Sequence, residues 1–113
     1  MCRFFVTAAF ALSCATLPSL TLAADANHAR SLAATCFTCH GTDGRSVNGV
    51  PPSLAGQNRD YLLKQLQEFK SGKRPATIMH QHAKGYTDEQ LAVIAGYFAS
   101  VTPGRAVAAP AAR

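Results

Sequence analysis

Side chains that can bind a transition metal occur in two short segments of the sequence. In the first, CFTCH (residues 36–40), two thiols stand three positions apart and an imidazole follows directly. In the second, TIMHQHAKGYT, a thioether at Met79 is followed by imidazoles at His80 and His82. Sulfur and imidazole are ligands for iron, copper and zinc, so these segments are the candidates for a metal or cofactor site.

The spacing within CFTCH is that of the C-x-x-C-H motif, which attaches a c-type haem. Two thiols at this spacing near a helix end can add to the two vinyl groups of one porphyrin, and the next residue then lies beneath the iron. Cys36 and Cys39 are therefore predicted to form thioether bonds to one haem, with His40 as the fifth iron ligand.

Three other uses of the motif compete with haem. A thioredoxin-like dithiol requires a strand before the motif and an α/β chain around it, whereas this sequence has no alternating strand pattern. A structural disulfide would leave the adjacent His40 without a role. A structural zinc would need two further ligands, which His80 and His82 could supply. Haem is favoured because it accounts for His40 and also supplies buried apolar area to a short chain.

The sixth iron position has three candidate ligands. Met79 is the one thioether in the predicted mature chain, and it precedes the last predicted helix, where a loop could fold over the far face of the haem. Its pairing with His40 would raise the reduction potential, as suits an electron carrier. His82 is the main rival and His80 a lesser one. We expect an extended loop here, in which adjacent side chains point in different directions, and Met79 is the preferred ligand.

Other residues are candidates for supporting the haem. A ligating histidine usually donates its second ring N–H to a backbone carbonyl or a similar acceptor. Pro52, in the rigid Pro-Pro turn of VPPSLAGQ, is the predicted acceptor for His40. Tyr61, Arg59 and Arg74 are the candidates for binding the haem propionates.

The two ends of the chain are predicted to lie outside the folded domain. Residues 1–24 have the pattern of an export signal, with Arg3 before an apolar run and small residues at its end, so we expect cleavage, a periplasmic location and no remaining membrane span. The domain is predicted over residues 25–101 and a disordered Ala/Pro-rich tail over residues 102–113. Loss of Arg3 lowers the formal net charge of +5 by one. This mild bias, without a dense basic run, does not indicate nucleic-acid binding.

The segment between these ends is predicted to be all-α, with about three main helices and long loops around one covalently attached haem. The first helix is expected to begin at Asp25 or Asn27 and to deliver Cys36. Four glycines and a Pro-Pro pair predict an irregular loop over residues 41–56. Loops this long in a small domain indicate that something other than side chains fills the middle.

Two further helices have clear boundaries in the sequence. The second is predicted from Arg59 to Ser71, between a capping asparagine and a terminating glycine. The third begins at a capping box formed by Thr87 and Gln90. Its apolar positions recur at helical spacing and predict a buried stripe of Leu91, Ile94, Ala95 and Phe98.

Three longer strings, CFTCHGTDGRSV, PSLAGQ and FKSGKRPATIMHQHAKGYTDEQ, resemble the small soluble bacterial class I cytochromes c. The resemblance is greatest to the monohaem cytochrome subunit of flavocytochrome c sulfide dehydrogenase. It implies a class I cytochrome c fold and, through the T-I-M segment, Met79 as the sixth iron ligand. It also implies electron transfer through one haem c, with an FAD-containing, sulfide-oxidising flavoprotein as partner and another cytochrome c as a candidate acceptor.

Two other functions are compatible with the sequence. A free periplasmic monohaem carrier would use the same haem and could be guided to its partners by Lys64, Lys70, Lys73, Arg74 and Lys84. A gas-binding haem protein would leave the sixth position empty, which Met79 disfavours. The sequence shows no constellation of acid, base and nucleophile, so no catalytic residue is predicted and substrate chemistry is expected to belong to a partner.

Overall fold

The computed structural model describes the backbone of residues 19–104 and the side chains of residues 25–104. The helices, in chain order, are α1 (Ser19–Ala33), α2 (Phe37–His40), α3 (Arg59–Ser71), α4 (Met79–Lys84) and α5 (Asp88–Ser100), and short 3-10 turns occupy Ala34–Cys36 and Thr42–Gly44. Residues 19–104 contain no strand. The all-α prediction is therefore confirmed.

α1 begins earlier than the sequence predicted. It passes through both Asp25 and Asn27, so the expected start at these residues is wrong. The preceding residues include leucine and alanine, whose high helix propensity lets the helix extend toward the N-terminus. Most of the predicted export segment lies outside the described residues, as do residues 105–113 of the predicted tail. Within residues 19–104, no helix has both the length and the apolar character that crossing a membrane requires.

α3 has both of the ends that the sequence predicts, and α5 has the predicted start. Asn58 Oδ1 accepts a hydrogen bond from the Tyr61 N–H at 3.0 Å, and Gly72 ends α3 in the left-handed conformation with φ of 79°. At α5, Thr87 Oγ1 accepts from the Gln90 N–H at 3.2 Å, and Gln90 Oε1 accepts from the Thr87 N–H at 2.9 Å. These caps satisfy backbone groups that have no partner within the helix, so the boundaries follow from local sequence.

α5 packs against both α1 and α3 and provides most of the core. The buried cluster consists of Ala33, Leu62, Ile94, Ala95 and Phe98. The Phe98 ring meets the rings of Phe37 and Tyr97 edge-on, with centroids 6.2 and 5.3 Å apart. Leu91 is also buried, so the apolar stripe predicted for the last helix is confirmed.

The residues after α5 cross back over the loop that follows α2. Arg45 Nε donates to the Thr102 carbonyl oxygen at 3.0 Å. Gly56 lies so close to Pro103 that a Cβ added at Gly56 would overlap the proline ring. The boundary predicted at residue 101 therefore falls within a segment that contacts the domain.

Candidate cofactor site

An open cleft of about 340 Å³ lies between α3, α4 and the turn that carries CFTCH. Its walls are mostly apolar, and α3 contributes Leu62, Leu66 and Phe69. The cleft is also bordered by all four side chains predicted to hold a cofactor, which are Cys36, Cys39, His40 and Met79. The fold thus brings the two metal-binding segments of the sequence to one place.

His40 is held in one orientation by the backbone. The residue is only 7% exposed, and its Nδ1 atom lies 2.7 Å from the Pro52 carbonyl oxygen. Because a carbonyl oxygen only accepts hydrogen bonds, Nδ1 carries the proton and Nε2 keeps the lone pair that a metal requires. The prediction that Pro52 accepts from His40 is confirmed.

The turn after the CFTCH motif is restrained by Gly41 and Asp43. Gly41 has φ of 81°, and a Cβ added there would overlap the Arg45 carbonyl oxygen. Asp43 accepts hydrogen bonds from the Tyr97 hydroxyl at 2.6 Å and from Arg30 Nε at 3.0 Å. The Tyr97 hydrogen bond, with Arg30 and Arg45 acting in the same direction, lowers the pKa of the Asp43 carboxyl below its ordinary value. These contacts tie the motif to α1 and α5.

The two cysteines reach the cleft through a tight turn. α1 ends at Ala33, a 3-10 turn leads to Cys36, and Cys39 lies in α2. They form no disulfide with each other, and Cys36 is half-buried while Cys39 is exposed. Burial raises the pKa of the Cys36 thiol above its ordinary value, against an opposing hydrogen bond from Thr35. A thioredoxin-like dithiol needs a strand before the motif, and residues 19–104 contain none, so the fold does not support the dithiol alternative.

The described residues do not assemble the zinc site that the sequence left open. Within residues 25–104, no three His, Cys, Asp or Glu side chains are grouped so that they could share a metal ion. His82 borders the cleft, whereas His80 does not. The geometry therefore gives no support to a site that combines both histidines with the two cysteines.

The segment that begins with Met79 is helical, so the prediction of an extended loop is wrong. The backbone N–H groups of Gln81 and His82 donate to the Ile78 carbonyl oxygen at 2.9 and 3.3 Å, and α4 starts at Met79. No glycine or proline interrupts these six residues, and packing against α3 supplies stability that so short a helix lacks alone. Residues three apart share a helix face, so Met79 and His82 both border the cleft while His80 does not.

Two of the three residues predicted as candidates for binding the haem propionates border the cleft. Tyr61 and Arg74 border the cleft, and Arg59 does not. The Arg74 guanidinium lies 4.7 Å from the centroid of the Phe69 ring and donates to Gln65 Oε1. Gln65 also borders the cleft and was overlooked in the sequence. Gln65 lies four residues from both Tyr61 and Phe69, so all three share one helix face. This spacing in the sequence could have identified Gln65 as a cleft residue.

The residues present fit a covalently attached haem. The two thiols, the Nε2 lone pair of His40 and the Met79 thioether border one mostly apolar cleft, and this donor set is characteristic of haem iron in electron-transfer proteins. When bound, the haem supplies an iron centre that alternates between the ferric and ferrous states. The two thiols would anchor it, and the Pro52 carbonyl oxygen would hold the ligating imidazole.

Comparison with known proteins supports this fit. A family model described as cytochrome c matches residues 26–102. The chain is 45% identical to the cytochrome subunit of sulfide dehydrogenase from Chlorobaculum tepidum over 71 residues, which cover 63% of this chain and 64% of that protein. It is 37% identical to cytochrome c-554(548) of Halomonas halodenitrificans over 81 residues, which cover 69% of this chain and 98% of that protein.

A solved structure with a similar fold is that of cytochrome c4 from Acidithiobacillus ferrooxidans. The TM-score is 0.63 at 34% sequence identity, and the match covers 69% of this chain and 51% of that chain. The chain therefore spans less than two thirds of the Chlorobaculum tepidum protein and about half of the solved chain. It matches nearly the whole length of the Halomonas halodenitrificans protein.

Proposed function

Because the chain belongs to the cytochrome c family, we propose that it transfers single electrons through one covalently bound haem c and receives them from a sulfide-oxidising flavoprotein. The observation that carries the proposal is the apolar cleft bordered by the two CFTCH thiols, His40 and Met79. The family match and the solved structure confirm the resemblance and the class I cytochrome c fold inferred from the sequence.

Four residues have distinct roles in the proposal. Cys36 and Cys39 form the thioether bonds that anchor the porphyrin. His40 would hold the iron through Nε2, with its ring held by the Pro52 carbonyl oxygen, and Met79 would supply its sulfur as the second protein ligand. A thioether opposite an imidazole stabilises ferrous iron and raises the reduction potential, which suits a protein that accepts electrons from a reduced flavin.

A periplasmic location is part of the proposal. Haem c is attached to C-x-x-C-H motifs outside the cytoplasm, and residues 1–24 have the pattern of an export signal. Both features would place the haem-bearing domain in the compartment where a periplasmic dehydrogenase could reach it.

Exposed apolar side chains beside the cleft support a stable partner. Tyr61 (51% exposed) and Ile78 (55% exposed) border the cleft, and Val50 (86% exposed) precedes the cleft-lining Pro51. We call Val50, Tyr61 and Ile78 the rim. A stable subunit interface buries roughly 1,200 to 2,000 Å² with a mostly apolar centre, and the rim suits such a centre. The sulfide dehydrogenase relative supports another subunit of a sulfide dehydrogenase as the occupant, and the sequence resemblance implies that this subunit contains FAD.

A free periplasmic carrier is the second candidate function. The Halomonas halodenitrificans cytochrome, matched over 98% of its length, supports a cytochrome chain that consists of little more than this one domain. Of the cations that could guide transient docking, Lys70 contacts Asp88 at 2.7 Å and Lys64 approaches Glu68 at 4.0 Å. The other three cations of this predicted set, Lys73, Arg74 and Lys84, are exposed. Docking guided by such charges weakens steeply as salt rises.

The test mixes the oxidised holoprotein with a sulfide-oxidising flavoprotein and sulfide, and follows haem reduction by absorbance at low and high ionic strength. Rapid reduction at both salt concentrations supports a stable subunit pair. Rapid reduction only at low salt supports the free carrier. No reduction at either concentration rejects the flavoprotein partner.

A matched pair of variants tests the rim. Ile78→Asp adds a charge on the rim, whereas Thr77→Asp adds the same charge at the neighbouring exposed residue, which does not border the cleft. We expect Ile78→Asp to slow haem reduction by the flavoprotein about tenfold, the effect of losing roughly 1.4 kcal/mol of contact energy. Equal slowing by both variants would assign the effect to charge alone and remove the rim from the interface.

A further inference from the structure

α4 presents two iron-binding side chains to the same cleft. Met79 is its first residue and His82 stands three positions later, so the two side chains share one helix face. Both border the cleft, whereas His80, between them in sequence, does not. Imidazole binds haem iron as readily as a thioether does, so the cleft contains one more suitable ligand than the iron can use.

α4 is also a short helix whose connections to the rest of the chain are largely exposed. It has six residues, its N-terminal Ile78 provides no side-chain cap, and Ala83 is its one buried residue. In the segment before it, residues 72–75, 77 and 78 are exposed, and so is Gly85 after it. Although α4 packs against α3, a short helix with one buried residue and exposed connections moves at a lower free-energy cost than the core helices. A shift of three residues along a helix corresponds to about 4.5 Å.

We propose that His82 is a standby axial ligand, which takes the sixth iron position when Met79 does not occupy it. The inference rests on the proposed ligation of the haem iron by His40 and Met79. The exchange breaks one iron–sulfur bond and forms one iron–nitrogen bond through the neutral imidazole, with no electron transferred. The chain thus has two ligation states, and the state with two imidazoles has the lower reduction potential.

The experiment uses four holoproteins: the wild type, Met79→Ala, Met79→Ala with His82→Ala, and Met79→Ala with His80→Ala as the matched control. The readouts are the near-infrared sulfur-to-iron band, the electron paramagnetic resonance spectrum of the oxidised protein and the affinity for added imidazole. Met79→Leu, which retains the apolar volume, replaces Met79→Ala in all variants if the alanine protein does not mature.

The wild type is expected to show the sulfur-to-iron band. Met79→Ala should lose this band but remain low-spin with two imidazole ligands, and adding His80→Ala should change nothing. Adding His82→Ala should open the site and increase the affinity for added imidazole about tenfold or more. This is the gain expected when an internal ligand that occupied the position nine-tenths of the time is removed.

Two results would overturn the standby role. One is a high-spin Met79→Ala protein, and the other is equal imidazole affinity with and without His82. Loss of the low-spin state on His80→Ala would transfer the role to that residue and reject His82. A wild type without the sulfur-to-iron band would instead reject Met79 as the normal ligand, so a failure of the proposed ligation is seen in a different sample from a failure of the standby role.

Discussion

The Nδ1 atom of His40 lies 2.7 Å from the carbonyl oxygen of Pro52, twelve residues later in the chain. This contact sets the tautomer of the imidazole, because a carbonyl oxygen only accepts hydrogen bonds and Nδ1 must therefore carry the proton. It also fixes the ring plane, because the acceptor belongs to a Pro-Pro turn whose backbone has little freedom. The orientation of the proposed fifth ligand therefore depends on a loop that contributes no ligand itself.

Loosening this turn should alter the reduction potential. In Pro52→Gly the carbonyl remains, but the backbone gains freedom, so donation from His40 weakens and the imidazole becomes a poorer donor to ferric iron. We expect the potential to rise by up to roughly 40 mV, the one-electron equivalent of about 1 kcal/mol for one hydrogen bond. Voltammetry of the holoprotein measures it. Pro75→Gly, at an exposed position, is the control, and an equal rise in both variants would contradict the prediction.

Arg74 should influence the haem more than its neighbour Lys73 does. Arg74 borders the cleft, held by Phe69 and Gln65, whereas Lys73 is exposed and does not border it. A nearby positive charge stabilises the reduced state, so Arg74→Gln should lower the potential, on the order of tens of millivolts. Lys73→Gln removes the same charge and should have a smaller effect. Equal shifts in voltammetry would show that Arg74 acts only through net charge and does not bind a propionate.

The core of α5 should contribute to stability independently of the haem site. Leu91 is fully buried and does not border the cleft, so Leu91→Ala should lower the free energy of unfolding by about 2–5 kcal/mol. Val93→Ala, on the same helix at a 37% exposed residue, should lower it by less than about 1 kcal/mol. Denaturant unfolding of the oxidised holoprotein provides the comparison. A haem absorbance spectrum that changed in Leu91→Ala would contradict the separation of core and site.

Asp43 should make stability depend on pH in the acidic range. Its carboxyl pKa is lowered in the folded state, first by the Tyr97 hydrogen bond and then by Arg30 and Arg45. Because the pKa is lower in the folded state, the ionised Asp43 carboxylate adds to the free energy of unfolding above the ordinary carboxyl pKa of about 3.9. This contribution is lost as the pH falls through the folded-state pKa. Asp43→Asn, which tolerates the positive φ of this residue, should therefore be less stable than the wild type at pH 7.

The comparison is made by urea unfolding at several pH values. The difference between the wild type and Asp43→Asn should shrink as the pH falls below about 4. Asp60→Asn is the control, because the Asp60 carboxylate is exposed and lies 3.5 Å from a single exposed guanidinium, that of Arg59. If the difference in the free energy of unfolding between the wild type and Asp43→Asn stays constant with pH, the charge of Asp43 is not the cause of the lost stability.

Local sequence determined the parts of this protein whose signals lie within a few residues. The CFTCH spacing predicts haem attachment because both thiols and the imidazole belong to one turn of the chain. The bounds of α3 follow from Asn58, whose side chain satisfies a free N–H group, and from Gly72, which adopts the left-handed conformation. The start of α5 follows from its capping box in the same way.

Only the tertiary structure decided which residues of more distant segments meet at the cleft. α4 is too short to be stable alone, so its helical form depends on packing against α3, and the sequence indicated a loop instead. The helical phase of α4 then brings His82 to the cleft beside Met79 and leaves His80 away from it. In the same way Arg74 borders the cleft and Arg59 does not, because the direction of a side chain depends on how its segment packs against the rest of the domain.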